Sequence, residues 1–272
     1  MNGYRIPRFS LRLGERSTAA RGAVAGWLGA VGQAVDALVF PWSCAVCGVE
    51  GQGGAFCPVC RKDLMEVAAK AAASVCPRCA LPGGPYADFH RGCAACRGRT
   101  LGFDAAMALG PYEGTLRDLC LRLKHERNAW LAPCLSELWA EARGETIGEL
   151  ASDAWIVPVP LHWRRHWRRG YNQAEALARG LARRLHRPVR RPLRRVVATD
   201  KLAGLSRTER TRSLRGAFRA RRNSGLDGRT IILVDDILTT GATCGAAARA
   251  LKQAGARRVV VAVIARTGKS TL

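Results

Sequence analysis

The sequence predicts an α/β fold in which a parallel sheet flanked by helices follows a small four-cysteine zinc-ribbon module. Three observations carry that expectation. The stretch TIILVDDILTTGATCGAAARALKQAGARRVVVAVIAR, residues 230–266, reads as strand, helix, strand. Eight of the 11 cysteines fall into four C-x-x-C pairs. Past Gly98 the cysteine pairs stop and longer periodic apolar segments begin, so the chain divides into a module over 41–98 and a domain over 99–268.

The four pairs are Cys44/Cys47, Cys57/Cys60, Cys76/Cys79 and Cys93/Cys96. Two thiolates three residues apart on a tight turn present both sulfurs to one tetrahedral zinc, and two such knuckles complete a site of four cysteines. Four pairs therefore imply two structural zincs. Sequential ribbons, Cys44 to Cys60 and then Cys76 to Cys96, are favoured over an interleaved arrangement. The prolines and glycines around the pairs fit turns in a segment with little apolar core of its own, so metal binding supplies its folding free energy. Cys120, Cys134 and Cys244 fall in expected helices and read as packed thiols.

Ahead of the module, residues 1–22 read as a disordered basic arm and residues 23–40 as an apolar helix. No run of eighteen uninterrupted apolar residues occurs, so no transmembrane segment is expected. Cysteine pairs suited to metal point to a cytoplasmic protein rather than an oxidising compartment.

After the module, LGFDAAMALGPYEGTLRDLCLRLKHERN reads as an edge strand, a turn at Gly110 to Gly114, and a helix with Leu116, Leu119, Cys120 and Leu123 on one face. Lys124, at the end of that helix, is placed to reach a phosphate. WIVPVP reads as a second strand, with Leu161 to Gly170 a long basic loop at its carboxyl end. A helix follows, with Ala174, Leu177, Ala178, Leu181 and Leu185 inward and Arg179, Arg183, Arg184 and Arg187 outward.

Residues 161–222 hold 20 Lys and Arg against 3 Asp and Glu, a large part of a chain charge of +23. Such a field draws in polyanions, either a pyrophosphate-bearing metabolite or a nucleic-acid backbone. Trp155, Trp163, Trp167 and Tyr171 lie among these arginines, either packed beneath the loop or offering rings on which bases stack.

The chemistry concentrates at residues 230–243. Ile231 to Val234 form the continuous apolar run of a strand covered on both faces, with Asp235 and Asp236 at its carboxyl end. A helix is expected over about 243–254, closed by Gly255, and RVVVAVIA forms the next strand. In such units ligands bind outside the carboxyl ends of the strands. Thr239, Thr240 and Thr243 offer hydroxyls, Gly241, followed by Ala242, lets the backbone approach closely, and the amides opening the helix favour an anion. A 5′-phosphate fits the loop. The paired carboxylates suit the vicinal hydroxyls of a ribose, directly or through magnesium. A phosphoacceptor receiver would need most of a domain after this strand, and a P-loop reading of VIARTGKST fails at Val263, where glycine belongs.

The segments IVPVPLHWRRHWRRGYNQAEALARGLA, GLSRTERTRSLRGAF and ILVDDILTTGAT, behind four C-x-x-C knuckles, resemble the ComF competence-protein family. That family joins a double zinc ribbon to a type I phosphoribosyltransferase domain. The resemblance implies that Asp235 and Asp236 contact the ribose of phosphoribosyl pyrophosphate, with magnesium, and that Thr239 to Thr243 hold its 5′-phosphate. It places Leu161 to Asn172, with Arg164, Arg168 and Arg169, near the pyrophosphate, and makes Thr199 to Arg215, with Arg207 and Arg210, a flap over the site. It further implies single-stranded DNA handling during competence, DNA uptake and transformation, beside a helicase-like translocase and a recombination mediator. The flap departs from the family pattern: Leu202 replaces a glutamine and Ser213 an asparagine, and both changes remove amide hydrogen-bonding groups. A metabolic transferase that releases pyrophosphate from the same ligand, acting on a small acceptor, is the alternative reading.

Overall fold

The computed structural model describes residues 43–50, 54–83, 89–90, 92–149, 153–197, 209, 212–222 and 224–268. The expected basic arm at 1–22 and apolar helix at 23–40 lie outside the described residues, as do Leu202, Arg207 and Arg210.

The frame is a four-stranded parallel sheet. It comprises β1 (Ala105–Pro111), β2 (Trp155–Pro158), β5 (Thr230–Leu238) and β6 (Arg258–Arg266), in the order β1-β6-β5-β2. A parallel bridge from Ile156 to Val189 adds one more residue pair beyond β2. A separate antiparallel ribbon joins β3 (Leu193–Arg195) to β4 (Phe218–Ala220). β1 is an edge strand, as its sequence suggests, whereas β5 and β6 are central, which explains their uninterrupted Val, Ile and Leu.

Side chains alternate across β5 and β6 and build two cores. Ile232, Val234, Val260, Ala262 and Ile264 face α1 (Pro58–Ala73), α2 (Gly114–Arg122), α3 (Leu131–Gly148) and α5 (Gln173–Leu185). Ile231, Leu233, Val259, Val261 and Val263 face α6 (Ala242–Gln253) and the β3–β4 ribbon. On the first face the fully buried Trp139 donates its indole N–H to the Val263 carbonyl at 3.0 Å. Arg143, also buried, donates to the Ala108 and Leu109 carbonyls of β1 and to the Ala68 carbonyl of α1. Carbonyl acceptors satisfy a guanidinium that burial would otherwise penalise.

Three differences from the sequence reading have clear causes. The zinc module is not confined to turns: Pro58, at the first helical position behind the Cys57 cap, starts a helix of 16 residues. Phe56, Leu64 and Ala68 of that segment join the first core, so the module shares the domain's interior instead of standing beside it. The strand β5 does not end at Val234, because its pairing with β6 continues through Asp235↔Val263 to Leu238↔Arg266. Finally, the expected loop at 161–170 is mostly a short helix, α4 (Trp163–Arg169). No glycine or proline interrupts it, and the buried His162 accepts the Arg164 amide on Nδ1 at 3.4 Å.

Candidate functional site

The two knuckle clusters form as sequential ribbons. Cys44, Cys47, Cys57 and Cys60 bring their sulfurs within 4.8 Å of one another, and Cys76, Cys79, Cys93 and Cys96 do the same. Separations of 3.8 Å for Cys47–Cys57, 3.5 Å for Cys76–Cys96 and Cys79–Cys93, and 3.7 Å for Cys93–Cys96 match the edge of a tetrahedron. Zn–S bonds of about 2.3 Å give an edge of about 3.8 Å, so the residues fit zinc.

Thiol ionisation bears on the same two clusters. Burial opposes ionisation of Cys44 and Cys76, yet backbone amides, chiefly those of Cys57 and Cys93, draw the two thiols down to about 6 and about 7. Burial, reinforced by neighbouring sulfurs, pushes Cys60 up to about 12 and Cys96 up to about 11. One thiolate in each cluster thus forms readily, and its charge opposes ionisation of Cys60 in the first and Cys96 in the second. A divalent cation lets all four ionise.

The second constellation lies at the carboxyl edge of the sheet. Asp235 and Asp236 are successive strand residues and so project to opposite faces. Asp235 lies beside the Cys244 thiol of α6, with Sγ 3.8 Å from its Oδ2. Asp236 accepts from Gln173 Nε2 of α5 at 3.3 Å. Each carboxylate also takes the following backbone amide, Asp236 N–H to Asp235 at 3.0 Å and Ile237 N–H to Asp236 at 2.9 Å. Burial first, and then the charge of Asp236, holds the Asp235 carboxyl well above the usual range. A nearby cation or hydroxyl donor would relieve a carboxyl raised in this way.

The strand gives way at Leu238 to the loop Thr239–Gly241, and α6 begins at Ala242. Gly241 takes φ +78° as the cap, in the left-handed region that glycine enters without strain. The Thr240 hydroxyl accepts the Ala242 amide at 3.4 Å, and Thr243 follows in the first turn. Amides opening a helix lack intrahelical carbonyl partners, so this turn is chemically able to accept an anion.

The other predicted residues divide into three groups. Arg169 donates to Gln173 Oε1 at 3.4 Å, so a relay runs from Arg169 through Gln173 to Asp236. Lys124 follows α2 half-buried, and its charge and that of Asp236 both reach the buried Cys120 thiol. Arg164 instead lies over the Trp163 ring, 5.3 Å from its centroid. The side chain of Arg168 lies outside the described residues. Gln173 and Tyr171 contribute more than the sequence reading gives them. The buried Tyr171 hydroxyl has no hydrogen-bond partner among the described residues, and burial with the Asp236 charge pushes its ionisation up to about 12. Their signal is the segment RGYNQ, where Asn172 caps α5 through the Ala174 amide at 3.0 Å and anchors it to the Val159 carbonyl at 3.1 Å.

The tryptophans separate. Trp155 is held between the Arg190 and Arg229 guanidiniums, 5.4 and 5.3 Å from its ring centroid. Trp163 and Trp167 stand 60% and 85% exposed on α4, four residues apart among arginines.

Known proteins resemble both halves of this chain. The phosphoribosyl transferase domain family matches residues 168–272, and the double zinc ribbon family matches residues 35–97. The DNA utilization protein YhgH of Escherichia coli K12 is 34% identical over 83% of this chain and 96% of its own length. Adenine phosphoribosyltransferase of Rhodococcus jostii is 55% identical over a short stretch, 15% of this chain and 23% of that protein. The crystal structure of TT1426 from Thermus thermophilus matches 52% of this chain and 73% of its own at 23% identity, with a TM-score of 0.29. Among the described residues no helix is long and apolar enough to cross a membrane.

Proposed function

Because this chain belongs to the ComF family of double-zinc-ribbon phosphoribosyltransferase-fold proteins, together with YhgH, we propose that it binds phosphoribosyl pyrophosphate and acts on single-stranded DNA during DNA uptake and recombination. The observation that carries the ligand half is the convergence of Asp235, Asp236 and the threonine loop at one sheet edge. The 5′-phosphate takes the amides and hydroxyls of Thr239 to Thr243. The ribose hydroxyls donate to the aspartates, which relieves the crowding of two carboxylates. The pyrophosphate, carrying magnesium, lies towards Lys124 and the Arg169–Gln173 relay, where cations stabilise it as a leaving group if the bond at ribose C1 breaks.

The DNA half rests on α4. Two exposed tryptophans between arginines provide a stacking surface next to backbone-neutralising charge. The metabolic alternative has less behind it, since the match to adenine phosphoribosyltransferase spans only a short stretch and says nothing of an acceptor.

The deciding experiment is calorimetric titration of zinc-loaded protein with phosphoribosyl pyrophosphate and magnesium, beside oligonucleotide binding at several salt concentrations. Asp235→Asn with Asp236→Asn is expected to abolish ligand binding while both zincs stay. Trp163→Ala with Trp167→Ala is expected to weaken oligonucleotide binding by about 1–3 kcal/mol per stacked base. Unchanged ligand affinity in the aspartate variant sinks the ligand site. Salt-independent or absent oligonucleotide binding sinks the DNA half.

A further inference from the structure

Arg266, the last residue of β6, is 4% exposed. Its Nε donates to the Cys79 carbonyl at 2.9 Å. Its Nη1 donates to the Leu238 carbonyl at 2.8 Å, to the Thr239 carbonyl, and to the Thr267 carbonyl at 3.0 Å. Cys79 belongs to the second zinc cluster, and Leu238 and Thr239 are where β5 becomes the threonine loop. A single planar guanidinium therefore spans the metal knuckle and the loop. Lysine, a point charge on a flexible stem, cannot hold the same fork.

A second contact runs from the same cluster to the same turn. The linker leaving Cys96 passes against α6 so closely that a Cβ on Gly102 would lie 2.4 Å from the Gly245 carbonyl oxygen. A Cβ on Gly245 would lie 2.3 Å from the Leu101 carbonyl oxygen. Phe103, next along, packs 3.6 Å from where Gly241 would carry a side chain. Arg78 stiffens the linker, donating to the carbonyls of Cys96 at 3.3 Å and Arg99 at 3.1 Å. The first cluster is tied elsewhere: Arg122 donates to the Ala45 carbonyl, and Arg61 pairs with Glu141 of α3.

We propose that the second zinc cluster is a clamp on the phosphate loop, with Arg266 as its positioning residue, so that metal occupancy at Cys76, Cys79, Cys93 and Cys96 and phosphoribosyl binding are coupled. This inference rests on the ligand reading of the loop given above. Coupling between two sites is reciprocal. Zinc in the second cluster raises ligand affinity, and bound ligand retards loss of that zinc. The first cluster stays indifferent to ligand.

The test follows zinc release from the full, zinc-loaded chain into a chromogenic chelator, with and without phosphoribosyl pyrophosphate and magnesium. One of the two zinc equivalents is expected to leave more slowly with ligand present, and the other at an unchanged rate. The Asp235→Asn, Asp236→Asn protein controls for chelation by the ligand itself and is expected to show no slowing. Arg266→Lys is expected to keep both zincs, lose the slowing, and bind ligand roughly 5–150-fold more weakly. If Arg266→Lys does not fold, the wild-type release rates still decide. Normal ligand binding with both release rates unchanged overturns the clamp. Absence of ligand binding by the wild-type chain overturns the reading of the loop instead, and the clamp with it.

Discussion

The two four-cysteine clusters share ligands and geometry but not surroundings. In the first, Cys47 is exposed and Cys57 half-buried; in the second, Cys76, Cys79 and Cys96 are all buried. The first cluster launches α1, whose Leu64 and Ala68 help to fill the first core. The second is joined to the threonine loop through Arg266. The same four-cysteine geometry therefore sits in two settings, joined to a helix in one case and to the threonine loop in the other.

Zinc removal tests that contrast with the largest effect. A structural zinc contributes on the order of 10 kcal/mol. Stepwise chelation is expected to take the first cluster's metal before the second's, because Cys47 is exposed, with a drop in melting temperature at each step. Simultaneous loss of both metals in a single transition would erase the distinction.

A smaller effect isolates attachment. Leu64, 3% exposed, is expected to cost about 2–5 kcal/mol when cut to Ala, read from urea denaturation. Val59→Ala on the same helix, 68% exposed, is expected to stay within about 0.5 kcal/mol of wild type. Equal losses would mean that α1 is not anchored by its apolar face.

The smallest effect belongs to the pocket. Asp235 has a raised folded-state pKa, caused first by burial and then by Asp236, so the folded protein holds this proton more tightly than the unfolded chain does. Stability therefore falls as pH climbs from the ordinary carboxylate range through the raised value. Asp235→Asn is expected to stabilise the ligand-free protein by roughly 0.5–2 kcal/mol at pH 8, and by less near pH 5, where the wild-type carboxyl is more protonated. A destabilised variant at pH 8 would mean that the carboxylate is held by partners rather than crowded.

The same contrast separates what is legible in the sequence from what is hidden there. Cysteine pairing, the aspartate pair and the threonine loop are local patterns, readable because spacing alone brings their atoms together. The helix at Pro58–Ala73 is obscured by the knuckles on either side, although RKDLMEVAAKAAA is rich in helix formers. The helical turn of WRRHWRR reads as a loop when its charge is weighed above its lack of breakers. Arg266 and Cys79 lie 187 positions apart, and no periodicity joins them. Gly102 and Gly245 likewise acquire meaning only where two segments nearly touch. Local chemistry is visible in one dimension; the convergence of distant carbonyls is not.

The order of the sheet sets a timetable for synthesis. β1 pairs with β6, and β6 follows β1 in the chain by about 150 residues. At translation rates of about 5–20 residues per second, β1 waits roughly 7–30 seconds for its neighbour. During that interval the nascent chain carries two cysteine clusters able to capture metal and an edge strand with nothing to pair against. Zinc captured then would close the two knuckle clusters at either end of α1 before β6 enters between β1 and β5.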